Sequence, residues 1–248
     1  MTLLKIHNLK KSFGGVKALN GCNFNIEKNK ITALIGPNGC GKSTLFNVIN
    51  KLEYQESGTI TFLNYNISKI RPYLVSELGI SRTFQYPTLF ENLTIRDHIE
   101  MAMFNDDQKF FKSFFIKLFG LKKNNDKKII EILNLVGLEK PLNTLGSDLS
   151  YGQRKLLDLA IAIAHPHKLI MLDEPVAGIN PKLRQKIKEI LIKLKEMGET
   201  IIVIEHDMNF IMDIADHVYV MESGQNLVEG KPKEIQNNKK VLEAYLGE

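Results

Sequence analysis

Cysteine is scarce in this chain of 248 residues: there are two, Cys22 and Cys40. Two cannot build a disulfide framework, and such scarcity suits a reducing cytoplasm. Long apolar runs are missing as well. None approaches the roughly 20 residues that a membrane-spanning helix needs, so work at a membrane would depend on partners that hold the chain there. Met1 to Phe13 has neither a long apolar core nor a small-residue cleavage site, and no signal peptide is expected. Repeats and low-complexity linkers are absent too. The net charge of +5 is small, and the lysines are spread along the chain as solvated helix faces, so no nucleic-acid partner is expected. What remains, with 44% hydrophobic and 25% charged residues, is the composition of a globular chain with a real core. Its length allows one large domain or two small ones.

The stretch around which the rest is organised is Gly36-Pro37-Asn38-Gly39-Cys40-Gly41-Lys42-Ser43-Thr44. Apolar Ile31 to Ile35 precede it as a buried strand, and Leu45 to Ile49 follow as a helix. Strand, glycine-rich loop and helix in that order make a phosphate-binding P-loop. The glycines let successive N–H groups turn inward, and the helix N-terminus adds partial positive charge. Lys42 supplies a point charge for terminal phosphates. Ser43 offers a hydroxyl to Mg²⁺, and Thr44 a hydrogen bond to phosphate.

Hydrophobic periodicity predicts strands over Leu3–Leu9, around Phe24–Ile26, over Gly58–Leu63, and from Gly79 to a terminal Gln85. It predicts a helix capped by Thr94, with Asp97 in capping-box position. A second helix spans Asp126–Val136, with Ile129, Ile130, Leu133 and Val136 on one face and Gly137 as its cap. Another opens at Leu149-Ser150-Tyr151-Gly152-Gln153 and stops at Pro166. The apolar run Lys168–Glu174 predicts a strand ending in two carboxylates. A helix from Asn180-Pro181 to Gly198, strands at Thr200–Ile204 and Val218–Met221, and one final helix from Pro232 to Leu246 complete the chain. Phe104, Phe110, Phe111, Phe114, Phe115 and Phe119 fall mostly on one helical face, where they are expected to pack on neighbouring helices. Strand–helix alternation around a helical middle points to an α/β core with a helical insertion.

Hydrolysis of ATP needs phosphate charge neutralised, Mg²⁺ held, a water oriented and its proton accepted. The P-loop meets the first need. Asp173, at the end of an apolar strand, is placed to hold Mg²⁺ or its water shell. Glu174 beside it is then free to accept the proton of the attacking water.

In order, the P-loop, Gln85, Leu149-Ser150-Tyr151-Gly152-Gln153, Asp173-Glu174-Pro175 and His206 resemble the motifs of the ATP-binding cassette (ABC) family over nearly the whole chain. The resemblance implies a single cassette, residues 1–248: a RecA-like α/β core, an antiparallel β portion and a helical subdomain at about 86–160. It implies that Phe13 stacks on adenine, that Gln85 senses Mg²⁺ or water and couples to a partner, and that His206 contacts the γ-phosphate. Ser150, Gly152 and Gln153 resemble the residues that clamp ATP bound to an opposite subunit, which implies a head-to-tail dimer. Two residues depart from the family pattern. Tyr151 stands where glycine is usual, and Asn180 where aspartate is common. Cys40, inside the phosphate loop, is expected to favour the thiolate, so that alkylation blocks hydrolysis and bound ATP protects.

Finer details narrow the resemblance. Arg82-Thr83-Phe84-Gln85, Leu89-Phe90-Glu91-Asn92-Leu93-Thr94, Asp173 to Pro181, Ile204-Glu205-His206-Asp207-Met208 and Glu243-Ala244-Tyr245-Leu246-Gly247 are similar to ATP-binding subunits of branched-chain amino acid importers. The long middle is similar to the longer of the two such subunits. That implies membrane-spanning partner subunits, a second ATP-binding subunit or a second copy, an extracellular binding protein acting indirectly, and a place on the cytoplasmic face of the membrane. Urea and amide importers are the nearest alternative. Lipopolysaccharide-export ATPases resemble the chain but generally lack the long insertion. An iron–sulfur assembly ATPase is the alternative outside transport.

Overall fold

Ile31–Ile35, Leu169–Asp173 and Ile201–Ile204 are buried at every residue. Short apolar runs of this kind suit strands covered on both faces, as in a parallel sheet. The structure is a computed structural model that describes residues 1–103 and 125–246. Its strands are β1 (Thr2–Phe13), β2 (Val16–Glu27), β3 (Ile31–Ile35), β4 (Ser57–Phe62), β5 (Tyr65–Asn66), β6 (Ile80–Arg82), β7 (Leu169–Asp173), β8 (Ile201–Ile204), β9 (His217–Glu222) and β10 (Gln225–Gly230). Its helices are α1 (Lys42–Ile49), α2 (Pro72–Glu77), α3 (Ile95–Met103), α4 (Asp126–Val136), α5 (Tyr151–Ala164), α6 (Pro181–Glu196), α7 (Met208–Ile214), α8 (Pro232–Gln236) and α9 (Lys239–Leu246).

The described strands form two sheets. One is four-stranded and antiparallel, in the order β2-β1-β4-β5. The other has the order β10-β9-β3-β8-β7-β6, parallel except for β10 at its edge. Alternation along the central strands feeds two cores. Ile31, Ala33, Ile35, Ile170, Leu172, Ile201 and Val203 point toward the helices, with Ile95, Ile129, Leu157, Leu191 and Phe210. Leu34, Leu169, Met171, Ile202 and Ile204 point the other way, toward α1 and the antiparallel sheet. A strand that serves two cores reads as continuously apolar, which is why β3, β7 and β8 were the clearest strands in the sequence.

β8 lies between β3 and β7, and all three run the same way. The P-loop, His206 and the Asp173–Glu174 pair therefore emerge together at the carboxyl edge of the sheet, where open α/β sheets bind their ligands.

Several expectations change in detail. Ile130 is exposed on α4, and Ile132 takes its place beside Ile129, Leu133 and Val136. The final helix is two: α8 ends at Gln236 with Asn237 as its C-cap, and Asn238 accepts from the Lys240 N–H at 3.0 Å at the start of α9. Strand β6 ends at Arg82, so Gln85 lies in the following loop. Thr94 and Asp97 do form the reciprocal cap of α3, with Asp97 N–H donating to Thr94 Oγ1 at 3.2 Å and Thr94 N–H to Asp97 Oδ2 at 3.0 Å. Phe104 to Phe119 lie outside the described residues.

Candidate active site

The loop from Gly36 to Thr44 closes tightly on its surroundings. Gly36 and Gly41 have φ of 147° and 107°, and a Cβ there would lie 2.1 Å from the Met221 carbonyl and 2.3 Å from that of Ala18. Only glycine fits both the backbone and the space. Lys42 is buried, and its ammonium donates to the carbonyls of Gly36 at 2.7 Å and Pro37 at 2.9 Å. The side chain thus lies along the inside of the loop. Asn38, Gly39 and Ser43 are exposed at its rim, and Thr44 is half-buried. Cys40 does not favour the thiolate as its neighbours along the chain led one to expect. It is buried with Leu45 and Met221, and burial pushes its thiol above the ordinary value, against the pull of Lys42.

Asp173 closes β7 as a buried carboxylate. Its Oδ2 accepts from Arg82 Nη2 at 3.0 Å, and its N–H donates to Thr83 Oγ1 at 3.4 Å. Arg82 Nη1 donates to Asn47 Oδ1 on α1 at 2.8 Å, so one guanidinium joins the P-loop helix to the strand that carries Asp173. Burial raises the Asp173 pKa, and Arg82 only partly opposes it. Burial likewise lowers that of Arg82.

Glu174, one residue on, is the meeting point of three motifs. Gln85 Nε2 donates to its Oε2 at 2.6 Å, and His206 Nε2 lies 3.0 Å from its Oε1. Its backbone has φ 48°, a rare conformation for a residue with a side chain. Lys155 from α5 donates to the carbonyls of both Gln85 and Glu174, at 2.7 and 2.9 Å. Beneath His206, buried Glu205 accepts from the N–H groups of Val176 at 2.8 Å and His206 at 3.2 Å.

Ser150, Gly152 and Gln153 gather at the start of α5. Gln153 N–H donates to Ser150 Oγ at 3.4 Å, and Ser150 N–H to Gln153 Oε1 at 3.0 Å. The amide oxygen of Gln153, a residue expected to face nucleotide, serves this capping box. Both family departures have local partners. Tyr151 packs on Gly178 and donates its hydroxyl to the Ala177 carbonyl at 3.3 Å. Asn180 caps α6 by accepting from Leu183 N–H at 2.9 Å. Phe13 is 44% exposed at the end of β1, so its ring is not core; the Lys11 ammonium sits 4.7 Å from its centroid.

Among the described residues no group of three or more His, Cys, Asp and Glu could hold a metal by itself. Ser43, Gln85 and Asp173 offer a hydroxyl, an amide and a carboxylate. Such hard oxygen donors fit Mg²⁺ that completes its shell with waters and phosphate oxygens. Residue-by-residue reading overlooked Arg82, Lys155 and Glu205. Glu205, a charge directly after the apolar run Ile201–Ile204, carried a local signal; Arg82 and Lys155 did not.

A family model described as ABC transporter matches residues 19–177, and one described as branched-chain amino acid ATP-binding cassette transporter matches residues 225–248. A probable branched-chain amino acid transport ATP-binding protein LivG from Archaeoglobus fulgidus is 36% identical, covering 100% of this chain and 96% of the relative. The high-affinity branched-chain amino acid transport ATP-binding protein LivG of Escherichia coli is 33% identical, covering 99% and 98%. A nucleotide-free ATP-binding cassette from an ABC transporter superposes with TM-score 0.86 at 34% identity, over 100% of both chains. An ABC transporter cassette in its ADP conformation gives 0.84 at 33% identity, again over 100% of both. Full-length similarity in sequence and in fold shows that this chain belongs to the ABC transporter family, as one of its ATP-binding, ATP-hydrolysing cassettes.

Proposed function

We propose that the chain powers an importer of branched-chain amino acids. The observation that carries this reading is similarity over the full length to transport proteins of that description, at 36% and 33% identity. In this reading residues 1–248 are one cassette with a helical subdomain at about 86–160. It docks on membrane-spanning subunits at the cytoplasmic face and pairs head to tail with a second cassette. No described helix is long and apolar enough to cross a membrane, and in this reading the membrane part belongs to partners. A dimeric cassette holding ADP and phosphate, 26% identical with TM-score 0.77, supports the pairing.

Within the site, loop 36–44 binds the phosphates by backbone N–H groups, and Lys42 exchanges a loop carbonyl for a phosphate oxygen. Ser43, Gln85 and Asp173 would hold Mg²⁺, which supplies neutralisation of phosphate charge when bound. Glu174 takes the proton of the attacking water at a carboxylate oxygen. His206 orients that carboxylate and faces the γ-phosphate, and Gln85 reports the state of the site to the membrane partner. Phe13 stacks on the base. Ser150, Gly152 and the free amide group of Gln153 face the nucleotide of the partner cassette.

Affinity capture of the tagged chain from gently solubilised native membranes, with and without ATP, tests the assignment. Co-purification of polytopic membrane proteins with a second cassette is the expected result. Their binding protein is then assayed with leucine, isoleucine, valine and urea. Capture of soluble scaffold proteins alone refutes it.

A further inference from the structure

Lys155 stands on the second turn of α5 among Leu156, Leu157 and Leu159, and is 5% exposed. An ammonium removed from water needs acceptors for its three donors. Two of them go to the main-chain carbonyls of Gln85 and Glu174, at 2.7 and 2.9 Å. The Tyr151 ring centroid lies 5.9 Å away. These two carbonyls belong to the residues whose side chains meet at 2.6 Å. One cation therefore joins α5, the loop after β6 and the end of β7.

The tie matters because Glu174 is in a conformation that does not hold itself. At φ 48° a non-glycine backbone persists only where its surroundings over-determine it. Its N–H donates to the Ile204 carbonyl at 3.0 Å, and its own carbonyl accepts from Ala177 N–H at 3.2 Å and from Lys155. Of these, only Lys155 also grips Gln85. Burial favours the neutral amine, while Asp158, Glu205, Glu174 and Asp173 favour the ammonium.

We propose that Lys155 is a positioning residue for ATP hydrolysis: it locks the main chain of Gln85 and Glu174 to α5 and thereby sets where the Glu174 carboxylate stands. The proposal rests on the reading of Glu174 as the base. Lys155 bonds the main chain of both residues, not their side chains, and its two carbonyl acceptors lie outside loop 36–44. Its loss therefore slows the chemical step and leaves nucleotide binding in place. Because α5 begins at Ser150, the same tie carries any displacement of that helix start to Glu174.

The test compares K155M, K155Q and K155R in the full chain by steady-state ATPase kinetics, binding of a fluorescent ATP analogue and thermal unfolding. K155M and K155Q are expected to lower kcat by about tenfold to a hundredfold. Nucleotide affinity stays within about twofold, the mark of an interaction used after binding. K155R, whose fork can reach both carbonyls, keeps kcat within about threefold. A folded K155M with kcat within about twofold of wild type overturns the proposal. So does a loss of kcat and nucleotide affinity together in all three variants, in step with a lowered unfolding temperature. If K155M does not fold, equal kcat in K155R and K155Q overturns it. A wild-type chain that binds no nucleotide sinks the hydrolytic reading itself, whereas an active wild type with an equally active K155M sinks only the role of Lys155.

Discussion

Substitution of Arg82 by methionine isolates the ion pair beneath the site. Arg82 and Asp173 have side chains 7% and 8% exposed, with 3.0 Å between their charged atoms. The carboxyl is shifted up and the guanidinium down, each toward its neutral form and each chiefly by burial. Desolvation thus outweighs attraction, so the pair itself contributes little net stability. Removing one partner is another matter, because it leaves a buried carboxylate without its counter-charge. R82M is expected to lose about 3–5 kcal/mol, and the unfolding midpoint of a chain this long then falls by about 6–20 °C. Lost contacts with Asn47 and with the Phe84 ring, 4.9 Å away, push in the same direction. The pH dependence has a defined sign. A carboxyl whose folded pKa exceeds its unfolded value retains a proton that the unfolded chain has lost. Stability therefore falls as pH rises from the ordinary value of 3.8 toward the folded value. Without Arg82 the folded value rises further, so this falling window extends upward. Because the chain has no tryptophan, far-UV circular dichroism is the suitable probe of unfolding. The double variant R82M/D173N, lacking both charges, is expected to recover at least about 2 kcal/mol of the deficit. An R82M midpoint within about 2 °C of wild type, or purely additive losses in the double variant, refutes the reasoning.

Three further perturbations follow. E174Q removes the proposed proton acceptor, and hydrolysis is expected to fall by about 10²–10⁴-fold while ATP traps a dimer visible by light scattering; a monomeric, freely hydrolysing variant contradicts the mechanism. Lys51 is 1% exposed and burial lowers its pKa from 10.5 to about 8. Between those values the unfolded chain binds the extra proton, so wild-type stability rises with pH across that window and carries its full penalty below it. K51M is expected to gain about 1–3 kcal/mol at pH 7 and to lose that rise, as chemical unfolding from pH 7 to 10 will show. Cys40, buried with a raised thiol pKa, should react slowly with N-ethylmaleimide at neutral pH and faster as pH rises. Peptide mass spectrometry with parallel ATPase assays would reveal loss of activity in step with modification and protection by ATP. Rapid neutral-pH modification of the folded chain contradicts the burial.

Features written in adjacent residues were legible in the sequence. Strands β3, β7 and β8 announce themselves because both faces are covered. The cap at Thr94 announces itself because its partner Asp97 is three residues away, and the stretches at Ser150 and Asn180 announce themselves as helix starts. Asp173–Glu174 stood out as charge closing an apolar strand. What stayed hidden depends on distance through the fold. Arg82 and Asp173 are 91 residues apart in sequence, and Lys155 meets its two carbonyls from a third element, so no local pattern joins them. The Cys40 thiolate expectation failed for the same reason: Lys42 is visible along the chain, whereas the burial of the thiol in the core is not. On α4, Ile130 and Ile132 are both apolar, and only the neighbouring helices decide which of them is covered.

Glu174 shows how such hidden contacts bear on function. Both of its carboxylate oxygens are engaged, Oε2 by Gln85 and Oε1 by His206. A carboxylate held at both oxygens is well oriented, but accepting a proton from water requires a lone pair directed at that water. Two partners leave about two of its four lone-pair sites, and the geometry of those partners decides which site a water can reach. His206 follows directly from β8, and its N–H is fixed by buried Glu205. Gln85 lies in a loop beyond the end of β6, beside exposed Phe84 and Tyr86, so it is the partner with more room to move. Its main chain is nevertheless tied to α5 through Lys155. Movement of the exposed loop around Gln85 would therefore change which lone pairs of Oε2 are open, without disturbing the contact of His206 with Oε1. In the proposed reading, docking would act on hydrolysis through this one 2.6 Å hydrogen bond.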